Sequence, residues 1–94
     1  MEGMTENIEE LLRWVVSVDR RLVLMKSMKG HTVVKASDVA HETSRSTQNI
    51  SRALKELEDK GLIECLTPEK ITWKKYVLTD MGKDVLNELA EKYF

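Results

Sequence analysis

Apolar residues at Ile8, Leu11, Leu12, Val15, Val18, Leu22 and Met25 recur at steps of three and four, the spacing of one face of an α-helix. This predicts an N-terminal helical region over 7–28, capped by Asn7, with Glu10 placed to complete a capping box. Trp14, Val16 and Val23 fall outside the stripe, so the region carries apolar surface on more than one side. Ser17 to Asp19 allows either one helix or two, with Asp19 a possible second cap. Gly30 stops the helix, and Thr32 to Val34 is β-prone. A small helix follows over about Ser37 to Glu42, with Ser37 as its cap and Val39 and Ala40 inward. Thr43 to Ser46 interrupts the pattern. Ser46 then caps a helix running to about Lys60, in which Ile50, Ala53, Leu54 and Leu57 face the core. Gly61 ends it, and Leu62–Leu66 and Trp73–Leu78 read as a hairpin with a short tip containing the only proline. Thr79 or Asp80 caps a last helix with Met81, Val85, Leu86, Leu89, Ala90 and Tyr93 on its apolar side.

Ninety-four residues accommodate one domain, spanning 1–94. At 41% hydrophobic and 33% charged, the composition is that of a globular chain with one core. A chain this short buries only about 60–65% of its unfolded surface, which favours association. The single cysteine, Cys65, has no intramolecular partner, and no His/Cys cluster has metal-ligand spacing. The acidic start, with Glu2, Glu6, Glu9 and Glu10, has the wrong sign for a signal peptide. The longest apolar run, Leu22 to Met25, is far short of the roughly 18 residues of a membrane span. A cytoplasmic protein without membrane attachment is expected.

Charge changes the picture only when divided along the chain. Fifteen Lys and Arg against sixteen Asp and Glu leave a net of −1, which disfavours an indiscriminate polycation. Residues 13–55, however, hold nine bases against three acids, a net of +6. Residues 1–12 hold four acids and no base, and residues 56–94 hold six bases against nine acids. The positive excess lies in and before the helix-turn-helix over 37–60.

The predicted class is therefore mainly α with a small β-hairpin (α+β), in the element order of a winged helix-turn-helix. Residues 19–92 resemble winged-helix transcription regulators of the MarR-like superfamily, especially its small archaeal type. The resemblance rests on Ser37-Asp38-Val39-Ala40, on Ser44-Arg45-Ser46, and on the run from Gln48 through Glu58. It continues in Lys60-Gly61-Leu62-Ile63-Glu64 and in Tyr76-Val77-Leu78-Thr79-Asp80-Met81-Gly82 after the hairpin. It implies a double-stranded DNA partner, a repressor bound as a homodimer to a palindromic site, and no cofactor. Ser44 stands where relatives often have glycine, and the Asp-x-Arg pair of many MarR wings is missing.

The residues support that reading independently. With Ile50, Ala53, Leu54 and Leu57 inward, Gln48, Ser51, Arg52 and Lys55 face outward, and Ser46, Thr47 and Asn49 stand at the helix start. Arg forks onto guanine, Gln and Asn onto adenine, and Ser and Thr onto phosphates or base edges, in a major groove about 12 Å wide. Arg45 in the turn is a candidate phosphate contact, as are Lys70, Lys74 and Lys75 on the hairpin. The plainer readings are a solvated helix face, lysines that block strand pairing, and Trp73 and Tyr76 as strand packing. His31 and His41 read as partnerless surface or boundary residues, and Cys65 as a packing residue. Ile8, Leu11, Leu12, Trp14, Val15, Leu86, Leu89 and Tyr93 are the expected dimer interface, against the simpler reading that both terminal helices only complete the core. The flanking helices are short, so a small-molecule effector site is unsupported. A winged helix used for protein contacts is the competing function. No nucleophile with an orienting base, phosphate-cradling glycine loop or metal motif points to an enzyme.

Overall fold

The computed structural model describes residues 7–94; Glu2 and Glu6 of the acidic N-terminal stretch lie outside the described residues. Helix α1 (Ile8–Val16) starts at the anticipated capping box. The Asn7 side chain accepts the Glu10 amide at 2.9 Å, and the Glu10 carboxylate accepts the Asn7 amide at 3.2 Å. Val18 is extended, with φ −133° and ψ 120°, so a second helix, α2 (Asp19–Met28), begins after it. Asp19 is the first helical residue and not the cap. The break resets the helical phase: α2 buries Leu24, Met25 and Met28, while Val18 and Leu22 of the continuous stripe are only half-buried.

Helix α3 (Ala36–Thr43) starts one residue before Ser37, with Lys35 at the cap position and no side-chain capping bond. Ser37 lies inside the first turn, which corrects its assignment as the cap. Helix α4 (Thr47–Asp59) sinks its anticipated stripe, with Ile50, Ala53 and Leu57 fully buried and Leu54 nearly so. Strands β1 (Ile63–Cys65) and β2 (Tyr76–Leu78) pair antiparallel, Ile63 opposite Leu78 and Cys65 opposite Tyr76. The β-prone stretch before α3 contributes one bridge, in which Val34 and Tyr76 exchange backbone hydrogen bonds of 3.0 and 2.9 Å. Helix α5 (Asp80–Lys92) is capped by Thr79, whose hydroxyl accepts the Gly82 amide at 3.0 Å and donates to the Gly61 carbonyl at 2.7 Å.

The hairpin differs from the short-tipped one expected. Its strands are three residues each, and residues 66–75 form a long loop. Trp73 at φ +62° turns the backbone out of the ladder, and exposed Leu66, Ile71 and Trp73 show that this segment has no core face to alternate against. Below it, α5 crosses close to the start of β1. A Cβ on Gly82 would stand 1.9 Å from the Leu62 carbonyl oxygen, so only glycine permits this approach.

Helices α1 and α5 close the core together. Leu11, Leu12, Val15, Leu86 and Leu89 are buried within the chain itself, which removes them from the expected dimer interface. They are core residues because the two terminal helices pack on one another and on α2, with Lys92 and Glu9 joined across the top at 3.2 Å.

A polar clasp ties α1 and α2 to α4. Glu56 accepts from Arg20 Nε at 2.9 Å and Nη2 at 2.5 Å, and from Arg21 Nε at 3.3 Å. Arg21 also donates to the Trp14 carbonyl at 2.9 Å and lies 4.0 Å from the centroid of its ring. The Arg20 hydrogen bonds, against partial burial and with help from Arg21, hold the Glu56 carboxyl below its ordinary value. A depressed carboxylate contributes stability above its unfolded pKa and loses it as the pH falls through the folded one. Glu56→Ala is therefore expected to cost about 1–3 kcal/mol in urea unfolding at neutral pH. The gap between wild type and variant should narrow as the pH falls below the ordinary carboxylate range.

Candidate nucleic-acid interface

The α3–α4 turn is built on one unusual backbone conformation. Ser44 ends α3 at φ 58° and ψ 34°, and the Arg45 amide returns to the Ala40 carbonyl at 3.0 Å. Ser46 then opens α4, its side chain accepting the Asn49 amide at 3.0 Å. The anticipated cap and turn are both present, with serine in the left-handed position that glycine would occupy without strain.

The eight residues expected on this face divide into three groups. Thr47, Gln48, Ser51 and Arg52 are exposed, and their side chains have no hydrogen bond or ion pair among the described residues. Ser46 is spent on the cap. Arg45, Asn49 and Lys55 are already engaged: Arg45 donates to Asn49 Oδ1 at 3.0 Å and pairs with the Asp19 carboxylate, while Lys55 bonds Asp59 at 3.0 Å. The Asp59 hydrogen bond raises the Lys55 pKa above its ordinary value. Asp19 has no place in a reading of local spacing, because it reaches Arg45 from a different helix.

On the hairpin loop, Lys70 and Lys75 are exposed and Lys74 is half-buried, none with a carboxylate partner among the described residues. Trp73 is 68% exposed on the loop, not packed in a strand; Tyr76 does pack against the core. A groove of about 400 Å³ runs between the start of α3, the outer face of α4 and this loop, lined by Lys35, Thr47, Ser51, Trp73 and Lys74 among others. The Lys35 ammonium stands 5.7 Å from the Trp73 ring centroid. The clue to Trp73 in the sequence was its place among lysines.

Elsewhere, His31 is not partnerless. Its Nε2 lies 3.1 Å from Glu42, which also accepts the Ser27 hydroxyl at 2.6 Å. Cys65 is a half-buried free thiol. Among the described residues no group of three or more His, Cys, Asp or Glu is placed to hold a metal, and no helix is long and apolar enough to cross a membrane.

No protein-family model matches the chain, and no curated protein matches it in sequence. Solved structures do match in shape. The type III plasmid segregation protein TubR superposes with a TM-score of 0.79 at 17% identity, covering 100% of this chain and 95% of TubR. TubR bound to 24 bp of tubC, from Bacillus thuringiensis serovar israelensis pBtoxis, superposes at 0.75 and 22% identity, over 94% of this chain and 97% of that one. This chain has the winged helix-turn-helix fold. A mutant of MarR from E. coli, complexed with operator DNA, shares the winged helix at a TM-score of 0.67 and 18% identity, over 89% of this chain and 64% of MarR. In the winged helix described here, α3 and α4 form the helix-turn-helix and residues 66–75 form the wing.

The turn provides its own check. Ser44→Gly removes the left-handed penalty of a residue with a Cβ at some cost in unfolded-state entropy, for an expected net gain of about 0.5–1 kcal/mol in thermal or urea unfolding.

Proposed function

We propose that the protein is a cytoplasmic, sequence-specific, double-stranded DNA-binding transcription regulator, acting as a homodimeric repressor that occupies a palindromic promoter site. The observation that carries this reading is the first half of α4, where Thr47, Gln48, Ser51 and Arg52 stand exposed and unspent beside the turn. Arg52 would fork onto guanine, Gln48 onto adenine, and Thr47 and Ser51 onto phosphates or base edges. At the far end of the helix Glu56 and Asp59 are spent on Arg20, Arg21 and Lys55, so the unspent polar groups lie in its first half. Arg45 and Lys55 reach phosphates only by leaving Asp19 and Asp59, so they position the protein more than they add affinity. Lys70, Lys74 and Lys75 would follow the backbone beside the reading helix. The DNA complexes of TubR and MarR, which share the fold, support this use of it.

Single winged helices read half-sites, and two copies would place them about 34 Å apart, one DNA turn. With the leucines of α1 and α5 spent on the core, the surface left for a second copy is exposed Ile8 and Tyr93 with half-buried Trp14 and Phe94. No small-molecule effector enters the reading. The superposition on TubR, over 100% of this chain and 95% of that one, supports a second use of the same DNA contact, in plasmid segregation. Mapping bound sites in the cell separates the two: sites upstream of genes support regulation, and a single cluster on a plasmid supports segregation.

Selection of bound sequences from a random duplex pool, repeated at two salt concentrations, tests the main reading. A recovered palindrome is expected, together with a dimer in sedimentation. Arg52→Ala should cost about 1–3 kcal/mol at the selected site and relax base preference there. Lys74→Ala should weaken all sequences alike and lower the salt slope by about one. Absence of enrichment and of salt-sensitive duplex binding would overturn the reading in favour of a protein-interaction module.

A further inference from the structure

The wing carries more apolar surface than a phosphate-binding loop needs. Ile71, at 94% exposure, and Trp73, at 68%, project from a loop that also bears Lys70, Lys74 and Lys75 and a single acid, Glu69. Solvation normally disfavours a tryptophan in this position, and its backbone is held at φ +62°, a conformation that bulky residues rarely adopt. The loop shares a groove with Thr47 and Ser51, so both apolar side chains belong to the surface that faces DNA when α4 enters the major groove. Lys35 stands over one side of the Trp73 ring and Lys74 follows it in the chain, so cations flank the apolar pair.

We infer that Ile71 and Trp73 form an apolar wedge that enters the minor groove beside the segment read by α4, while Lys70, Lys74 and Lys75 hold the phosphates on either side. This rests on the DNA-binding reading above and adds to it a second source of specificity. An isoleucine or tryptophan entering the minor groove partly unstacks a base step, and the cost of unstacking is least at the flexible pyrimidine–purine steps TA and CA/TG. The protein then distinguishes flanking sequence without hydrogen bonds to it. The charge on the loop matches the phosphates of a duplex, and its apolar pair matches a base step that is already easy to open.

The test uses the selected duplex with its flanking steps varied one at a time. Wild type is expected to prefer a TA or CA step over a stiff A-tract step at one fixed offset by roughly three- to tenfold. The doubly substituted Ile71→Ser, Trp73→Ser protein, altered only at exposed positions, should lose that preference and keep the base preference that depends on Arg52. Duplex should shield the exposed Trp73 of the wild type from acrylamide, with the contribution of half-buried Trp14 read from the Ile71→Ser, Trp73→Ser protein. If wild type reads its site through Arg52 yet shows no flank preference and an acrylamide-accessible Trp73, the wedge is wrong and the DNA reading stands. If wild type binds no duplex, both fall.

Discussion

Everything this molecule offers to a partner depends on how α4 is sunk into the core. Ile50, Ala53 and Leu57 have no exposed surface and Leu54 almost none, so the helix cannot rotate without lifting large side chains into water, at about 1.5–3 kcal/mol for each Leu or Ile. That buried stripe leaves Thr47, Gln48, Ser51 and Arg52 on the opposite side. The Arg20 and Arg21 clasp on Glu56 then ties the far half of the helix to α2, and through Trp14 to α1. That exposed face is fixed in place because its reverse side is fully committed.

The electrostatics follow from the same arrangement. A net charge of −1 conceals a basic middle segment, but the fold neutralises much of that segment internally. Arg20 and Arg21 are spent on Glu56, Arg45 on Asp19, Lys55 on Asp59 and Lys35 in part on Asp38. Around the α4 and wing surface, Arg52, Lys70, Lys74 and Lys75 remain without a carboxylate among the described residues. Four cations without a carboxylate partner thus share the surface on which the exposed polar face lies. Attraction to a polyanion is therefore orientation-dependent.

Local chemistry was readable from the chain and long-range chemistry was not. The Asn7 and Glu10 box, the Ser46 cap, the left-handed Gly61 at φ +82° and the inward stripe of α4 depend on residues within four positions of one another, and each stands as expected. Val18 shows the limit. One extended residue reset the helical phase, so a stripe that looked continuous became two helices burying different faces. The leucines of α1 and α5 were apolar at the right spacing for either a core or an interface, and only their packing against each other decides between the two. Glu56 holding Arg20, Asp19 holding Arg45, and Glu42 beside His31 join residues from different helices or a helix and a loop, so no window along the sequence contains them. The wing was misread because lysine-flanked apolar residues resemble a strand until the backbone of Trp73 is seen to turn outward.

The most direct measurement of the central claim is an NMR titration of the labelled protein with its selected duplex, following backbone amides and the tryptophan indoles. Shifts should concentrate at Arg45 to Arg52 and along the wing from Lys70 to Lys75, with Leu57 at the far end of the buried stripe of α4 and the outer surface of α5 unmoved. Perturbations centred on α1 and α5, with the first half of α4 unaffected, would contradict it.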